Sequence, residues 1–425
     1  MQNSFALKRI FCVALKRGAR KSPGPLQQLP DELKLAIVAA LPDITCVVNL
    51  AVTGADFYRI VAGDEARLAY TVTKNNIGGS LMPYAVMNYK LSVGIKLGMN
   101  RPHVAGLELI ADCINKQADP DDITSFRAAF QYQSIHSTVQ HYAYGLAGDA
   151  LCKAPRPLRR WKLSASEYDR FVKALYMFEI ICNGFWPLRA LDQTQAWQVT
   201  WVRFWRRSAP WVMQQTRRVG ELLIKHIEDV LVWDHDRAAR RLIDAPRVYN
   251  STIMTSFAFE HGLQVLGNLE KRGKIQATRH AVTSFVTRPE SRPLQPCNNR
   301  LDMLWLKLSP NNDPNEFELS LDVDHVLFRY PETELGPTTS WYHTLVQSYL
   351  EDGVTDFGAD VHFSCGRCMG SYMFWDLKRL NNIHKRKLPT ITDLQNAAAE
   401  STVHPDDLVT STWGRSFTHC CTCQQ

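Results

Sequence analysis

The stretch "LPDELKLAIVAALPDI", residues 29–44, decides how the N-terminal end of this chain folds. Leu-Pro pairs at 29–30 and 41–42 enclose one short helical pattern. Lys34 is its only basic residue, and most of its other positions are apolar. A surface helix normally keeps one polar face. We therefore expect this helix to be covered on more than one side.

Two apolar faces are predicted for this first helix, which should span residues 30–41. Leu33, Ile37 and Leu41 recur every four residues and share one face. Val38 lies on a neighbouring face, and Lys34 is expected to be exposed. One face must close a local core and the other can meet a partner, but the sequence does not say which does which.

Two more short helices are predicted in residues 43–63. Pro42 ends the first helix, and Asp43 or Thr45 can cap the second. Gly54 ends the second helix, and a third apolar stripe ends at Gly63. The pattern therefore predicts three short helices with tight connections.

Helical spacing continues along most of the chain to about residue 280. Ser164 and Glu167 form a capping box at the start of one predicted helix. The predicted helices cover 121–153, 164–183, 191–206, 212–232 and 249–270. The fold class is mainly α, with a three-helix N-terminal unit before a larger, irregular all-helical domain with long loops. The predicted divisions are a basic leader (1–25), the three-helix unit (26–72), the helical domain (73–285), its loop-rich C-terminal part (286–398) and a polar tail (399–425).

Charge is distributed unevenly in this chain of 425 residues, whose net charge is +7. Six basic residues precede the first acidic residue, Asp31, and removing them leaves +1 for the rest of the chain. A nearly neutral body argues against a broad nucleic-acid surface. No apolar run is long enough to span a bilayer. We expect neither nucleic acid nor a membrane as partner.

Cysteine usage and the leader bear on the cellular compartment. Six of the eleven cysteines are scattered without pattern, which favours reduced thiols in the cytoplasm or nucleus. The leader, residues 1–25, mixes basic and apolar residues and has no acidic one. A mitochondrial presequence has this composition, and so does a flexible basic tail. The mitochondrion is therefore the alternative location.

Candidate metal ligands occur in two kinds of cluster. Acidic clusters lie at Asp322, Asp324 and His325 and at Asp234, His235 and Asp236; we interpret both as exposed acidic segments. Late thiols are Cys365 and Cys368 in a C-x-x-C, and His419, Cys420, Cys421 and Cys423 at the tail. Two such half-sites could close a tetrahedral zinc site, but reduced, metal-free thiols are the preferred interpretation. No metal, cofactor or catalytic residue is predicted.

Three tryptophans recur at helical spacing. Trp197, Trp201 and Trp205 lie four residues apart, on one helix face. They could stack nucleic-acid bases. A packed core stripe is the favoured interpretation because aromatic side chains dominate core energetics.

Residues 29–61 resemble the F-box, the adaptor-binding motif of substrate receptors in cullin–RING (SCF) ubiquitin ligases. The matching elements are Leu29-Pro30, Glu32-Leu33, Ile37, Leu41-Pro42, Leu50-Ala51, Thr53 and Phe57-Tyr58-Arg59-Ile60. The segments "RRWKLSASEYDRFVKALYMFEIICNGF", "FWRRSAPWVMQQ" and "FWDLKRL" resemble the body of filamentous-fungal F-box proteins. The chain departs from the motif at Gly54, and at Phe57-Tyr58 in place of the usual late tryptophan.

The resemblance implies a non-enzymatic substrate receptor. Its F-box would dock a Skp-type adaptor and through it a cullin, and the helical body would present an unknown protein substrate. The implied adaptor contacts are Leu29, Pro30, Glu32, Leu33, Ile37, Leu41, Pro42, Leu50, Phe57 and Ile60. Two alternatives remain: an F-box-like structural or regulatory protein acting outside the ligase, and a metal-dependent enzyme.

Overall fold

The computed structural model describes residues 25–97, 103–115, 122–153, 162–191, 195–205, 208–231, 262–263, 266–267, 336–337 and 374–383. Within these ranges the chain is helical and has no β-strand, which confirms the mainly-α prediction. The helices are α1 (Asp31–Ala39), α2 (Ile44–Ala51), α3 (Ala55–Gly63), α4 (Glu65–Ile77), α5 (Met82–Leu97), α6 (His103–Asn115), α7 (Phe126–Lys153), α8 (Ala165–Ile180), α9 (Gln195–Trp205), α10 (Pro210–Leu231) and α11 (Leu377–Ile383).

The described residues form two compact units, one up to Val139 and one from Gln140 onward. The first unit continues well past residue 72, where the sequence suggested a division. That position lies inside α4, which packs against α1, α2 and α3. The three short helices are therefore part of a larger helical unit.

The first unit is built around one buried face from each short helix. The Asp43 side chain caps α2 by accepting a hydrogen bond from the Cys46 N–H at 2.8 Å. At the C-terminal end of α4, the Asn75 side chain donates a hydrogen bond to the Ala39 carbonyl, and the Asn76 side chain donates one to the Pro42 carbonyl. The Ala39 carbonyl lies at the end of α1, where the helix leaves acceptors without a partner of its own, and the Pro42 carbonyl lies in the connection to α2. The core side chains here are Val38, Ile44, Val47, Phe57, Val61, Leu68 and Val72.

Helix α7 is joined to the short helices by two side chains. Glu65, at the start of α4, accepts a hydrogen bond from the Phe126 N–H at 2.9 Å. Gln133 accepts from the Ile44 N–H and donates to the Thr45 hydroxyl. The bonds to Glu65 and to the Gln133 oxygen each satisfy a backbone N–H at a helix start, so α7 and α2 begin where another helix supplies an acceptor.

The second unit is centred on α8, whose side chains are nearly all buried from Arg170 onward and which packs against α10. The predicted capping box is present: Ser164 accepts from the Glu167 N–H, and Glu167 accepts from the Ser164 N–H, both at 3.1 Å. A π-helical turn, Ile181–Phe185, and a 3-10 helix, Trp186–Leu191, follow directly. Of the helix predicted at 249–270, the structure describes four residues, and they are helical.

Candidate functional site

The face of α1 that the resemblance assigns to a partner is the face that the first unit leaves open. Leu33 is 52% exposed, and Ile37, one turn later, is half-buried. Leu29 and Leu41 continue the spacing at the two ends of the helix and are also half-buried. Leu26, in the 3-10 helix Pro25–Gln28 before α1, is 53% exposed. We call Leu26, Leu29, Leu33, Ile37 and Leu41 the apolar ridge.

The neighbouring face of α1 closes the local core. Val38 is fully buried, as are Ile44 and Val47 of α2. The structure thus answers the question that the sequence left open: the Val38 face packs inward and the Leu33 face points outward. Pro30 fits at the helix entry because its carbonyl accepts from the N–H groups of Leu33 and Lys34 while its own nitrogen needs no acceptor.

The other residues that are predicted to contact the adaptor differ in how exposed they are. Pro30, Glu32 and Pro42 are exposed, and Leu50 and Ile60 are half-buried. Phe57 is only 1% exposed and belongs to the core of the first unit. Phe57 is therefore not part of the surface that a partner can reach in this structure.

Lys34 corrects an expectation about the polar side of α1. We expected it to be exposed, but it is 4% exposed and its ammonium lies between two carboxylates. Its Nζ is 3.4 Å from Oδ1 of Asp31 and 3.7 Å from Oδ2 of Asp56, and Arg59 also pairs with Asp31 at 2.8 Å. Because Asp31 is on α1 and Asp56 on α3, these ion pairs connect the two helices. The charge of Lys34 is thus directed into the unit, and Glu32 is exposed beside the ridge without a partner in these ion pairs.

A second concentration of polar contacts joins the start of α8 to residues 374–379 in the second unit. Arg379 donates to both carboxylate oxygens of Glu167, at 2.7 and 2.6 Å, and both side chains are buried. Glu167 also accepts from the Asp376 N–H at 3.0 Å. Arg170 donates to the Phe374 carbonyl and to Asp376. We call this set the α8 clasp.

Aromatic and hydroxyl groups complete the α8 clasp. The rings of Phe171 and Phe374 stack with centroids 3.9 Å apart. Ser164 and Ser166 donate to the Asp376 carboxylate. Burial by itself raises the pKa of Asp376, but the Ser164 hydrogen bond, the Arg170 charge and the Ser166 hydrogen bond together lower it. The carboxylate therefore stays ionised and bound to α8 at neutral pH.

The α8 clasp unites two of the segments quoted for the family resemblance, "KLSASEYDRF" and "FWDLKRL". The sequence showed the local half, because a capping box has a fixed spacing. It did not show that Arg379 would share the Glu167 carboxylate. The number of residues between a buried arginine and the carboxylate that it pairs with is not fixed, so the pair cannot be predicted from sequence spacing. The clasp holds the second unit together and contains no described feature that marks a reaction.

Two of the three tryptophans of the stripe lie in the core, as predicted, and Trp205 is half-buried. Trp197 and Trp201 are buried and stack at 5.3 Å with an interplanar angle of 11°. Phe185, from the π-helical turn, meets Trp201 edge-on at 4.6 Å. Because these faces are covered by other rings, Trp197 and Trp201 do not form an open platform for bases.

The predicted metal-ligand candidates lie outside the described residues: Asp322, Asp324, His325, Asp234, His235, Asp236, Cys365, Cys368, His419, Cys420, Cys421 and Cys423. In the ranges that the structure does describe, no three His, Cys, Asp or Glu side chains come together as a metal site would require. None of the helices in those same ranges is both long and apolar enough to cross a membrane.

Comparison of the chain with models of protein families, with curated proteins and with solved structures gave no match.

Proposed function

We propose that this protein is the substrate-recognition subunit of a cullin–RING (SCF) ubiquitin ligase. Its apolar ridge would dock a Skp-type adaptor, which connects it to a cullin, and its larger helical unit would hold a target protein. In this proposal the protein contributes proximity and no catalytic group, and it acts in the cytoplasm or nucleus.

One observation carries the proposal: Leu33 is exposed, between half-buried Leu29 and Ile37, where the F-box resemblance places adaptor contacts. Among the described residues, the large hydrophobic side chains with substantial exposure are Leu26, Leu33, Val93, Phe130 and Tyr144. Two of the five lie on the ridge, next to half-buried Leu29 and Ile37. Grouped apolar exposure of this kind is typical of an interaction surface, whereas single exposed hydrophobics are ordinary.

The ridge is also suited to binding because α1, which carries it, is held in place by its inward face. Val38 and the Lys34 ion pairs fix α1 against the unit, so the outward leucines are held without a partner. Covering the remaining exposed half of one leucine contributes about 1 kcal/mol, from the range of ~1.5–3 kcal/mol for complete burial. Several such side chains on a rigid helix give affinity without a large cost of ordering.

The test is co-purification with a fungal Skp-type adaptor. Replacing Leu29 and Pro30 together by alanine should weaken adaptor binding by more than ~1 kcal/mol if they anchor the interface, measured by calorimetry or a quantitative pull-down. Leu33→Ser should weaken it as well. Val93→Ser, which removes an exposed apolar side chain from α5 in the same unit, is the matched control.

Two results would contradict the proposal. One is a wild-type protein that does not bind the adaptor at micromolar concentration. The other is equal adaptor binding by the Leu29/Pro30 variant, the Leu33 variant and the Val93 control, because the ridge would then not be the contact. A folded protein without adaptor binding would favour a role outside the ligase.

A further inference from the structure

The apolar ridge has an acidic border. Glu32 is exposed beside Leu33 and takes part in none of the ion pairs in the described part of the chain. The Asp31 and Asp56 side chains are about half exposed, at 51% and 48%, and they pair with Lys34 and with the exposed Arg59, so the three carboxylates and two cations leave one net negative charge at this border. An occupant of the ridge should therefore combine an apolar stripe with basic residues.

The leader of this same chain has that composition. Leu7, Ile10, Phe11, Ala14 and Leu15 recur at i, i+3, i+4, i+7 and i+8, the spacing of one apolar helix face. The basic residues Lys8, Arg9, Lys16 and Arg17 fall off that stripe, and the first acidic residue of the chain is Asp31. No second copy or foreign partner is needed to supply this pattern.

Length and position also match. A helix over residues 7–15 would be about 13 Å long, as is the nine-residue α1. Residues 16–25 separate the stripe from Leu26 and could extend over about 33 Å, so the stripe can reach any point of the ridge. Pro23, Gly24 and Pro25 favour a turn immediately before the ridge begins.

We infer that the leader, through Leu7, Ile10, Phe11 and Leu15, docks in cis on the apolar ridge and competes there with the adaptor. The competition with the adaptor rests on the proposed function, whereas the contact between the leader and the ridge does not depend on it. The short connection gives the leader a high effective concentration at the ridge. A leader that covers the ridge nine-tenths of the time weakens adaptor binding about tenfold.

The contact is tested in the full chain without any adaptor. Carbodiimide joins lysine to carboxylate with no spacer, and peptide mass spectrometry locates the links. We expect links from Lys8 and Lys16 to Glu32 or Asp31. Their yield should fall at least fivefold in Leu33→Ser and in a leader variant with Leu7, Ile10, Phe11 and Leu15 replaced by serine. Neither variant changes the charge, and Val93→Ser should keep the wild-type yield.

The outcomes separate this inference from the proposed function. Equal yields in all variants would mean that charge alone attracts the leader, and absent links would mean that it does not dock; either result overturns the inference. Links between 14N- and 15N-labelled copies in a mixed sample would assign the contact to a second molecule and overturn docking in cis. Adaptor binding without leader links would leave the proposed function standing. If the wild type shows leader links and the serine variant of the leader, whose ridge is uncovered, still does not bind the adaptor, the proposed function alone is refuted.

Discussion

Arg379 donates two hydrogen bonds to the carboxylate of Glu167 across 212 residues of sequence, at 2.7 Å from Nε to Oε1 and at 2.6 Å from Nη2 to Oε2. The same carboxylate completes the cap of α8 through the Ser164 N–H. Glu167 thus has a local role at a helix start and a long-range role in the fold. Fork-like pairing of this kind fixes orientation as well as distance.

Arg379→Ala should lower the free energy of unfolding of the second unit by about 3–5 kcal/mol, because it leaves the Glu167 carboxylate buried without its cation. The urea midpoint, followed by tryptophan fluorescence, measures this loss; Trp375, next to the clasp, is buried. Lys378→Ala is the matched control because Lys378 is exposed on the same helix, and it should change the stability by no more than about 0.5 kcal/mol. Equal midpoints for the two variants would show that the Glu167–Arg379 pair contributes little.

The features that the sequence predicted are those with a local cause. The capping box at Ser164, the Asp43 cap and the tryptophan stripe each follow from residues within one or two helical turns. The predicted bounds of 212–232 agree closely with α10, because a strong apolar period starts and stops there. The role of Glu167 beyond the cap was not predictable, since Arg379 has no fixed spacing from it.

Lys34 and Phe57 show the same limit in the first unit. Each lies in a short amphipathic helix, and its exposure depends on which neighbouring helix packs where. The spacing of Leu33, Ile37 and Leu41 established a face but not its direction. That direction follows from the packing of α1 on α3 and α4, which places Val38 inside.

The first unit should lose stability in mild acid because of His136. Burial lowers the pKa of His136 from 6.5 to about 4, against a smaller opposite effect of a hydrogen bond with the Asn76 backbone. In the unfolded chain the imidazole gains a proton below about pH 6.5, whereas in the folded unit it stays neutral down to about pH 4. The free energy of unfolding is therefore highest above about pH 6.5 as far as His136 is concerned. It falls progressively between pH 6.5 and pH 4, by about 3 kcal/mol in total.

The urea midpoint as a function of pH measures this loss. His136→Gln removes the titrating group, so its midpoint should depend less steeply on pH between 6.5 and 4 than that of the wild type. His141→Gln is the control: it removes an exposed histidine of the same helix, α7, just beyond the boundary of the first unit. A wild-type slope in the His136 variant would show that another group causes the acid sensitivity.

Two glycines of the second unit should respond to alanine in opposite directions. Gly262 has a φ of +64°, and a Cβ there would lie 2.7 Å from Oε1 of Glu179, which accepts a hydrogen bond from the Leu263 N–H. Gly262→Ala should cost more than the ~1–2 kcal/mol of a left-handed residue, because the clash adds to it. At Gly145, within α7, a Cβ meets nothing within 4 Å, so Gly145→Ala should raise the stability by about 0.5–1 kcal/mol. Thermal midpoints of the two variants decide the matter, and a stabilising Gly262→Ala would rule out the positive φ.

Lys34 gives the sharpest test of how the apolar ridge is supported. Its stem is enclosed and its ammonium lies between Asp31 and Asp56, so a residue that keeps the stem and removes the charge should be tolerated. Methionine has a similar flexible length and fills such space well, and Lys34→Met should stay within about 1 kcal/mol of the wild type because both carboxylates remain half exposed. Lys34→Glu, in contrast, buries a third carboxylate against the other two and should lower the free energy of unfolding by about 3 kcal/mol or more.

Far-UV circular dichroism during urea unfolding measures both changes in stability. In the pull-down, adaptor binding should be retained by the methionine variant and lost by the glutamate variant. If the glutamate variant were as stable as the wild type, Lys34 would be exposed in solution, and α1 would not be fixed to α3 in the way that presents Leu33 outward.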